Sequence, residues 1–237
     1  MRAVILAGGL GTRLRPYTTV LPKPLMPIGD TPILEVLVRQ LARHKICELT
    51  VTLGHLGKLI RTYFGDGSHL GVRIDYSMES QPLGTMGPLK LIPDLPEDFL
   101  VLNGDILTDL SFSDFFRKHR ESGAGFTISS FPREVETNLG VLETNETGQL
   151  VGFREKPKLP FEASMGIYAL KRSVVDDIPA GRPFGFDDLM LQLIQYGKFP
   201  NVIRHEGFWL DVGRHEDFER AQVYFTDLKS SLLEAGE

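Results

Sequence analysis

The chain is 237 residues long, 42% hydrophobic and 24% charged, with a formal charge of -5 at neutral pH. This is the composition of an ordinary globular protein, long enough to bury a sizeable core. The acidic balance argues against nucleic acid as a partner, because polyanion-binding domains are usually basic, and no apolar run approaches the roughly 18 residues of a membrane span.

The first predicted strand, over 3–6, runs straight into glycines with no cleavable apolar region behind it, so no signal peptide is expected. Residues 6–25 read LAGGLGTRLRPYTTVLPKPL, three glycines, two arginines, a lysine and three prolines with no acid. A helix follows: Thr31 is its expected cap, Pro32 suits its first position, and Ile33, Leu34, Leu37, Val38 and Leu41 fall on one face. Cys47 is the only cysteine. No internal disulfide can form, a reduced cytoplasmic setting is expected, and the thiol is expected as a small buried side chain.

Further strands are predicted over 49–53, 72–76, 99–102 and 126–130, then a hairpin of 140–143 and 149–153 about a turn at 145–148, and a strand over 164–170. Helices are expected over 186–196 and 215–233. Asp187 and Asp188 are expected as helix-terminal charges. Strands alternating with amphipathic stretches predict an α/β fold on a mostly parallel sheet. With no repeat, low-complexity tract or linker, a single domain over 1–237 is expected, less regular after about residue 110.

In an otherwise acidic chain the cations of the opening stretch are local and point to a small anionic ligand. A glycine-rich turn after the first strand is the usual phosphate position in an open α/β sheet. Two common motifs fail: Gly9-Leu10-Gly11-Thr12-Arg13-Leu14 lacks the third small residue of a dinucleotide fingerprint, and no Gly-Lys-Ser/Thr of a Walker A loop is present. A long, proline-stiffened excursion can instead fold back over the strand ends. It would carry Arg13 and Lys23 to one ligand while Gly8, Gly9 and Gly11 let backbone N–H groups approach it.

GGLGTRLRP followed by Pro22, Lys23 and Pro24 closely resembles the signature of the sugar-1-phosphate nucleotidyltransferases, and the resemblance covers nearly the whole chain. It implies a Rossmann-like three-layer α/β/α sandwich with a mostly parallel mixed sheet, a nucleotide-side half over about 1–110 and a sugar-side half over 111–237. The reaction implied joins an NTP and a sugar 1-phosphate, giving an NDP-sugar and pyrophosphate. By the resemblance Arg13 holds the β and γ phosphates and Lys23 the α phosphate, while Leu6, Ala7, Gly8 and Gly9, with Gly11 and Thr12 beside them, line the base and ribose.

Transfer at phosphorus needs a metal to neutralise charge, so acids are expected at strand ends facing the glycines. Asn103-Gly104-Asp105 and Trp209-Leu210-Asp211-Val212-Gly213 supply them. They resemble family segments whose aspartates hold Mg²⁺, a hard cation that keeps water and oxygen ligands, and that role is carried onto Asp105 and Asp211. Trp209 is expected as packing beside the site. Glu155-Lys156-Pro157 resembles the segment in which the lysine grips the sugar phosphate and the glutamate bonds sugar hydroxyls. Gly140, Met165 and Asn103 complete the implied sugar wall, and Ser164 stands where the family often has Asn. The histidines show no metal-ligand spacing.

Gln81-Pro82-Leu83-Gly84-Thr85-Met86-Gly87 looks like the base-recognition loop, so Gln81, Gly84 and Thr85 join the nucleotide site. The Gln81 amide matches thymine or uracil, whereas a Glu there would match guanine's two donors. Yet the surrounding residues look like the guanylyltransferase branch acting on mannose or heptose phosphates. GTP with a manno-configured sugar phosphate is the expectation, dTTP or UTP with glucose 1-phosphate the alternative. A non-catalytic NDP-sugar-binding subunit is the alternative of a different class. A homodimer is a family-level expectation, and no appended β-helix or acyltransferase domain is expected.

Overall fold

The structure is a computed structural model describing residues 1–233. Its first strand, β1 (Arg2–Ala7), is buried on both faces: Ala3, Ile5 and Ala7 join one apolar cluster while Val4 joins another. A long excursion follows, ending in a two-residue hairpin of β2 (Pro27–Ile28) and β3 (Thr31–Pro32), before α1 (Ile33–Arg43). One strand–helix unit comes next, β4 (Glu48–Leu53) with α2 (Gly57–Phe64), then the strands β5 (Arg73–Met78) and β6 (Asp98–Asn103). The chain continues through β7 (Ile106–Thr108), α3 (Phe112–Ser122), β8 (Phe126–Glu136), the hairpin β9 (Val141–Thr144) and β10 (Leu150–Arg154), and β11 (Lys158–Lys171). It closes with α4 (Arg172–Asp176), α5 (Phe186–Gln195), β12 (Asn201–Arg204), β13 (Trp209–Asp211) and α6 (His215–Leu233).

Seven strands form the central sheet in the order β12-β8-β11-β6-β1-β4-β5. Neighbours run parallel except β11, which is antiparallel to both β6 and β8. Side-chain alternation sends Leu100, Leu102, Ile167 and Ala169 to the face covered by α1, α2 and α3, and Phe99, Val101, Tyr168 and Leu170 to the face covered by α4 and α5. The result is the expected three-layer α/β/α sandwich with a mixed, mostly parallel sheet. Ile33 and Val36 of α1 turn the other way, into a third cluster with Leu107, Leu210, Val212 and Phe225. Helix α1 thus packs on two sides, with Arg39 and Arg43 left to its outer face and Glu35 paired to Arg39.

Two expectations fail. Thr31 does not cap α1: Pro32 occupies the cap position with no side-chain bond, because the first helical N–H, on Ile33, is satisfied by the Met26 carbonyl across the small hairpin. Cys47 is exposed, not buried; Ile46 fills the interior and Cys47 stands just before β4, with its carbonyl bonded to Arg73. Strands β8 and β11 run longer than predicted. Beyond a register shift between Ser164 and Tyr168 they continue as a two-stranded arm, pairing Arg133 with Phe161 and Glu136 with Lys158 outside the main layers.

One buried polar tie fixes the strand that follows Asp105. Gln40 on α1 donates to the Thr108 carbonyl at 2.7 Å, fully buried. Losing it leaves that carbonyl unsatisfied, so Gln40→Ala is expected to lower stability by about 1–3 kcal/mol, read as a shift of the urea midpoint at unchanged slope.

Candidate active site

Strands β1 and β6 end side by side, with Leu6 paired to Asn103. Just beyond them the Gly104 N–H donates to the Leu6 carbonyl at 3.0 Å, and a Cβ at Gly104 would sit 3.1 Å from that oxygen. A glycine here lets the chain turn closely against β1 and present Asp105 at the strand end, where a larger residue would crowd the Leu6 carbonyl.

The excursion from Gly8 to Ile28 folds back over these ends. Gly11, at φ 60°, packs against Thr18 and Lys23, and its carbonyl accepts from Thr18 at 2.8 Å. Leu14 is buried in the third cluster, which anchors the turn carrying Arg13. Helix α6 pins the outer side: His215 Nε2 donates to the Arg15 carbonyl at 2.9 Å, and the Gln222 amide bonds both Gly29 and Pro27. Packing and side-chain-to-backbone bonds thus shape the outer side of the loop, and the Lys23 ion pairs its inner side.

Between loop and strand ends lies a cavity of about 740 Å³. Leu6, Ala7, Gly8, Gly9, Gly11, Thr12, Arg13 and Lys23 line one side of it. Gln81, Gly84 and Thr85 line a second, and Asn103 and Asp105 the floor between. The Lys23 ammonium donates to Asp105 Oδ2 and lies 3.8 Å from Asp211 Oδ1. Asp211 reaches this point because β13 pairs with β7, and the Val212 N–H donates to the Asp105 carbonyl. Burial, then the neighbouring Asp105, pushes the Asp211 carboxyl above the usual range, against Lys23 and Arg13.

Among the described residues no three His, Cys, Asp or Glu side chains gather as a metal cluster. Two carboxylates at one spot are nonetheless a fit for a hard cation that takes its remaining oxygens from phosphate and water. Asp105 Oδ1 is buried without a hydrogen-bond partner, which leaves a lone-pair donor free for such an ion.

The remaining implied sugar residues stand outside the cavity. Met165 is buried in the core, its carbonyl accepting from Trp209 Nε1 at 3.0 Å. Next to it Gly166, at φ 74°, packs on the Asn103 side chain. Gly140 packs against the Phe153 ring and the Glu155 carboxylate, and Glu155 and Lys156 are exposed at the outer end of the arm.

On the base side, the Gln81 amide donates to the Gly181 carbonyl at 3.2 Å. Gly84, at φ 76°, lies against the Phe184 backbone, which also bonds Leu83, Met86 and Gly87. Thr52, His55 and Glu79, which sequence reasoning passed over, also line the cavity. Glu79 was hidden because its strand runs on to Met78 rather than stopping at Tyr76, and only then does it stand at a strand end. Its Oε2 accepts from the Leu83 N–H at 2.9 Å and its Oε1 lies against Gly8. Burial holds its carboxyl above the ordinary glutamate range, with the Leu83 N–H pulling the other way.

A phosphate-sized glycine loop facing paired carboxylates on this sheet is the layout of a nucleotide-transferring site, and the comparisons agree. The family described as "Nucleotidyl transferase" matches residues 2–227, and the chain belongs to it. It is 36% identical to a UTP–glucose-1-phosphate uridylyltransferase of Synechocystis over 93% of this chain and 62% of the relative. It is 33% identical to a mannose-1-phosphate guanylyltransferase catalytic subunit beta of Dictyostelium discoideum over 99% of this chain and 67% of the relative. The chain thus spans about two thirds of the length of these curated relatives. The solved structure of HddC from Yersinia pseudotuberculosis complexed with GMP-PN superposes with a TM-score of 0.71 at 25% identity, covering 94% of this chain and 99% of the other.

An acid whose pKa is raised by folding binds more protons folded than unfolded, so stability falls as pH rises through its titration range. Glu79→Gln is therefore expected to be more stable than wild type at about pH 8, with the gain vanishing at about pH 3, below the unfolded pKa, where both states are protonated. Urea denaturation at the two pH values checks this.

Proposed function

We propose that the protein transfers a nucleoside monophosphate from GTP to a manno-configured sugar 1-phosphate, releasing pyrophosphate. The observation that carries the reading is the meeting of Lys23, Asp105 and Asp211 beside the glycine loop. A sugar phosphate is largely dianionic at neutral pH, its second pKa being about 6, so no protein nucleophile is required. One of its oxygens attacks the α phosphorus, the bond to the β-phosphate oxygen breaks, and pyrophosphate leaves with that electron pair.

The protein's share is positioning and charge. In this reading Arg13 holds the β and γ phosphates, with its five-donor fork suited to phosphate oxygens, and Lys23 neutralises charge at the α phosphate. Asp105 and Asp211 would hold Mg²⁺, which when bound neutralises the phosphate oxygens. Glu155 and Lys156 are assigned to the acceptor by the family resemblance. The reading also carries a homodimer and a cytoplasmic setting, expectations of the family and of a chain whose one thiol is free.

Support for guanine comes from Glu79. An ionised carboxylate only accepts, and with Oε2 engaged by Leu83 the other oxygen is left to receive guanine's N1–H or amino group. Uracil and thymine offer a donor flanked by two acceptors, so the same oxygen would repel one of their carbonyls. Gln81, the expected base reader, has its amide donor directed at Gly181. The relatives divide on the base: the guanylyltransferase and the solved structure complexed with GMP-PN point the same way as Glu79, and the uridylyltransferase points to UTP.

Pyrophosphate release measured with GTP, UTP and dTTP, each against mannose, heptose and glucose 1-phosphates, is expected to select GTP with a manno-type acceptor. Turnover with UTP or dTTP alone would replace this reading by the uridylyl or thymidylyl one, and tight NDP-sugar binding without turnover by the regulatory-subunit one. Arg13→Ala and Asp105→Ala are each expected to cut turnover at least about a hundredfold, the scale of a lost transition-state donor, with folding intact by circular dichroism. Glu79→Gln is expected to narrow the preference for GTP over UTP, because an amide can serve either base.

A further inference from the structure

By the family resemblance the acceptor phosphate falls to Lys156 alone, a side chain exposed at the outer end of the arm. Lys23 is committed to Asp105 and Asp211, and Lys156 stands outside the cavity. A further cation, also outside the cavity lining, packs beside β13. Arg133, half-buried on the inner part of the arm, has its guanidinium carbon 5.0 Å from the centroid of the Trp209 ring and 5.7 Å from that of Phe131. Those two rings are themselves in contact, with centroids 5.6 Å apart.

The platform is rigid. Trp209 is fixed by its bond to the Met165 carbonyl, and the adjoining Gly166 packs on Asn103 in the cavity floor. The carboxylates nearby are spoken for. Asp109 Oδ1 takes His205 and the Phe208 N–H, Glu162 faces Arg204 at 3.4 Å, and Glu134 faces Lys158 at 4.0 Å. Among the described residues no hydrogen bond or ion pair satisfies the Arg133 guanidinium, whose charge rests only on ring faces. Trp209 and Asp211 are two positions apart on β13 and so project from one face, about 7 Å apart. Arg133 therefore stands one side-chain row from the carboxylate beside which the reacting phosphates must lie.

We propose that Arg133, stacked on Trp209, is a binding residue for the phosphate monoester of the acceptor sugar. The proposal rests on the transferase reading above and adds to it the group that orients the nucleophile. A planar fork pre-set on an aromatic face presents two parallel N–H donors to phosphate oxygens with little ordering left to lose. Its neighbours on that face of the arm, Val135, Leu159 and Phe161, are apolar and cannot compete for the anion.

Trp209 is the only tryptophan, so its fluorescence reports on this platform directly. Titration of the wild type with mannose 1-phosphate and with glucose 1-phosphate, without and with GTP, is expected to give a saturable change with at least one of them, and free mannose none. Arg133→Ala is expected to weaken sugar-phosphate binding, by calorimetry, and to raise its KM about ten- to a hundredfold, the range of a lost charge-assisted bond, while the KM for the NTP stays unchanged. Arg133→Lys, which keeps the charge but not the fork, is expected to fall between the two and guards against a misfolded alanine variant. Unchanged sugar-phosphate affinity in either variant overturns the proposal, as does a wild type that binds neither sugar phosphate. Arg133-dependent binding without any pyrophosphate release would instead overturn the transferase reading and leave the binding site standing.

Discussion

The site depends on one arrangement: a lysine ammonium inserted between two carboxylates that the chain brings together from positions 23, 105 and 211. Unit charges 4 Å apart interact by about 4 kcal/mol at an effective dielectric near 20. The attraction of Lys23 and the repulsion of Asp105 at Asp211 are thus of one order, and partial burial decides the outcome by lifting the Asp211 carboxyl. Without the lysine, two neighbouring acids at the end of a packed sheet would resist being held together. The architecture serves this meeting. Parallel β1 and β6 bring the glycine loop to Asp105, and the small β7–β13 pair delivers Asp211 to the same corner.

Much of that corner is fixed from behind. Gln40 ties β7 to α1, α6 grips Arg15 and the β2–β3 turn, and Leu14 plugs the third apolar cluster. On the base side, Leu83 to Gly87 are bound to the Phe184 backbone and Gln81 to Gly181. The base loop and the segment leading into α5 therefore form one unit. Its glycine at 84 has no substitute, since a side chain there would meet both an unfavourable φ and the Phe184 carbonyl.

How far the sequence alone led can be judged residue by residue. Strands buried on both faces are written as continuous apolar runs, which made β1 and β6 legible, β4 showed as an alternation of apolar residues and threonines, and α1 carried a periodic face. Helix α2, with four charged or polar positions in eight residues, and the short β7, β12 and β13 carried too little pattern, because their pairing depends on distant partners. Arg13, Lys23, Asp105 and Asp211 stood out through the motifs that resemble the family's, since a Gly-Asp after a strand is by itself ordinary turn chemistry. Glu79 did not, since its neighbourhood with Gly8 and Leu83 exists only after folding. Thr31 misled for a similar reason: its local cap chemistry lost to a backbone bond from Ile33 to Met26.

The outer halves of β8 and β11 extend past the helices, with exposed side chains on both faces, whereas their inner halves are woven into the core. The same two strands thus meet two different selective regimes. Exchanges at 165–170 are felt by the whole fold through packing, while exchanges at 158–162 or 134–136 disturb little beyond their immediate neighbours. The arm is in this sense a region of free variation attached to a fixed engine. Descendants of this chain can alter what lies against the arm without renegotiating the stability of the sheet that holds Asp105.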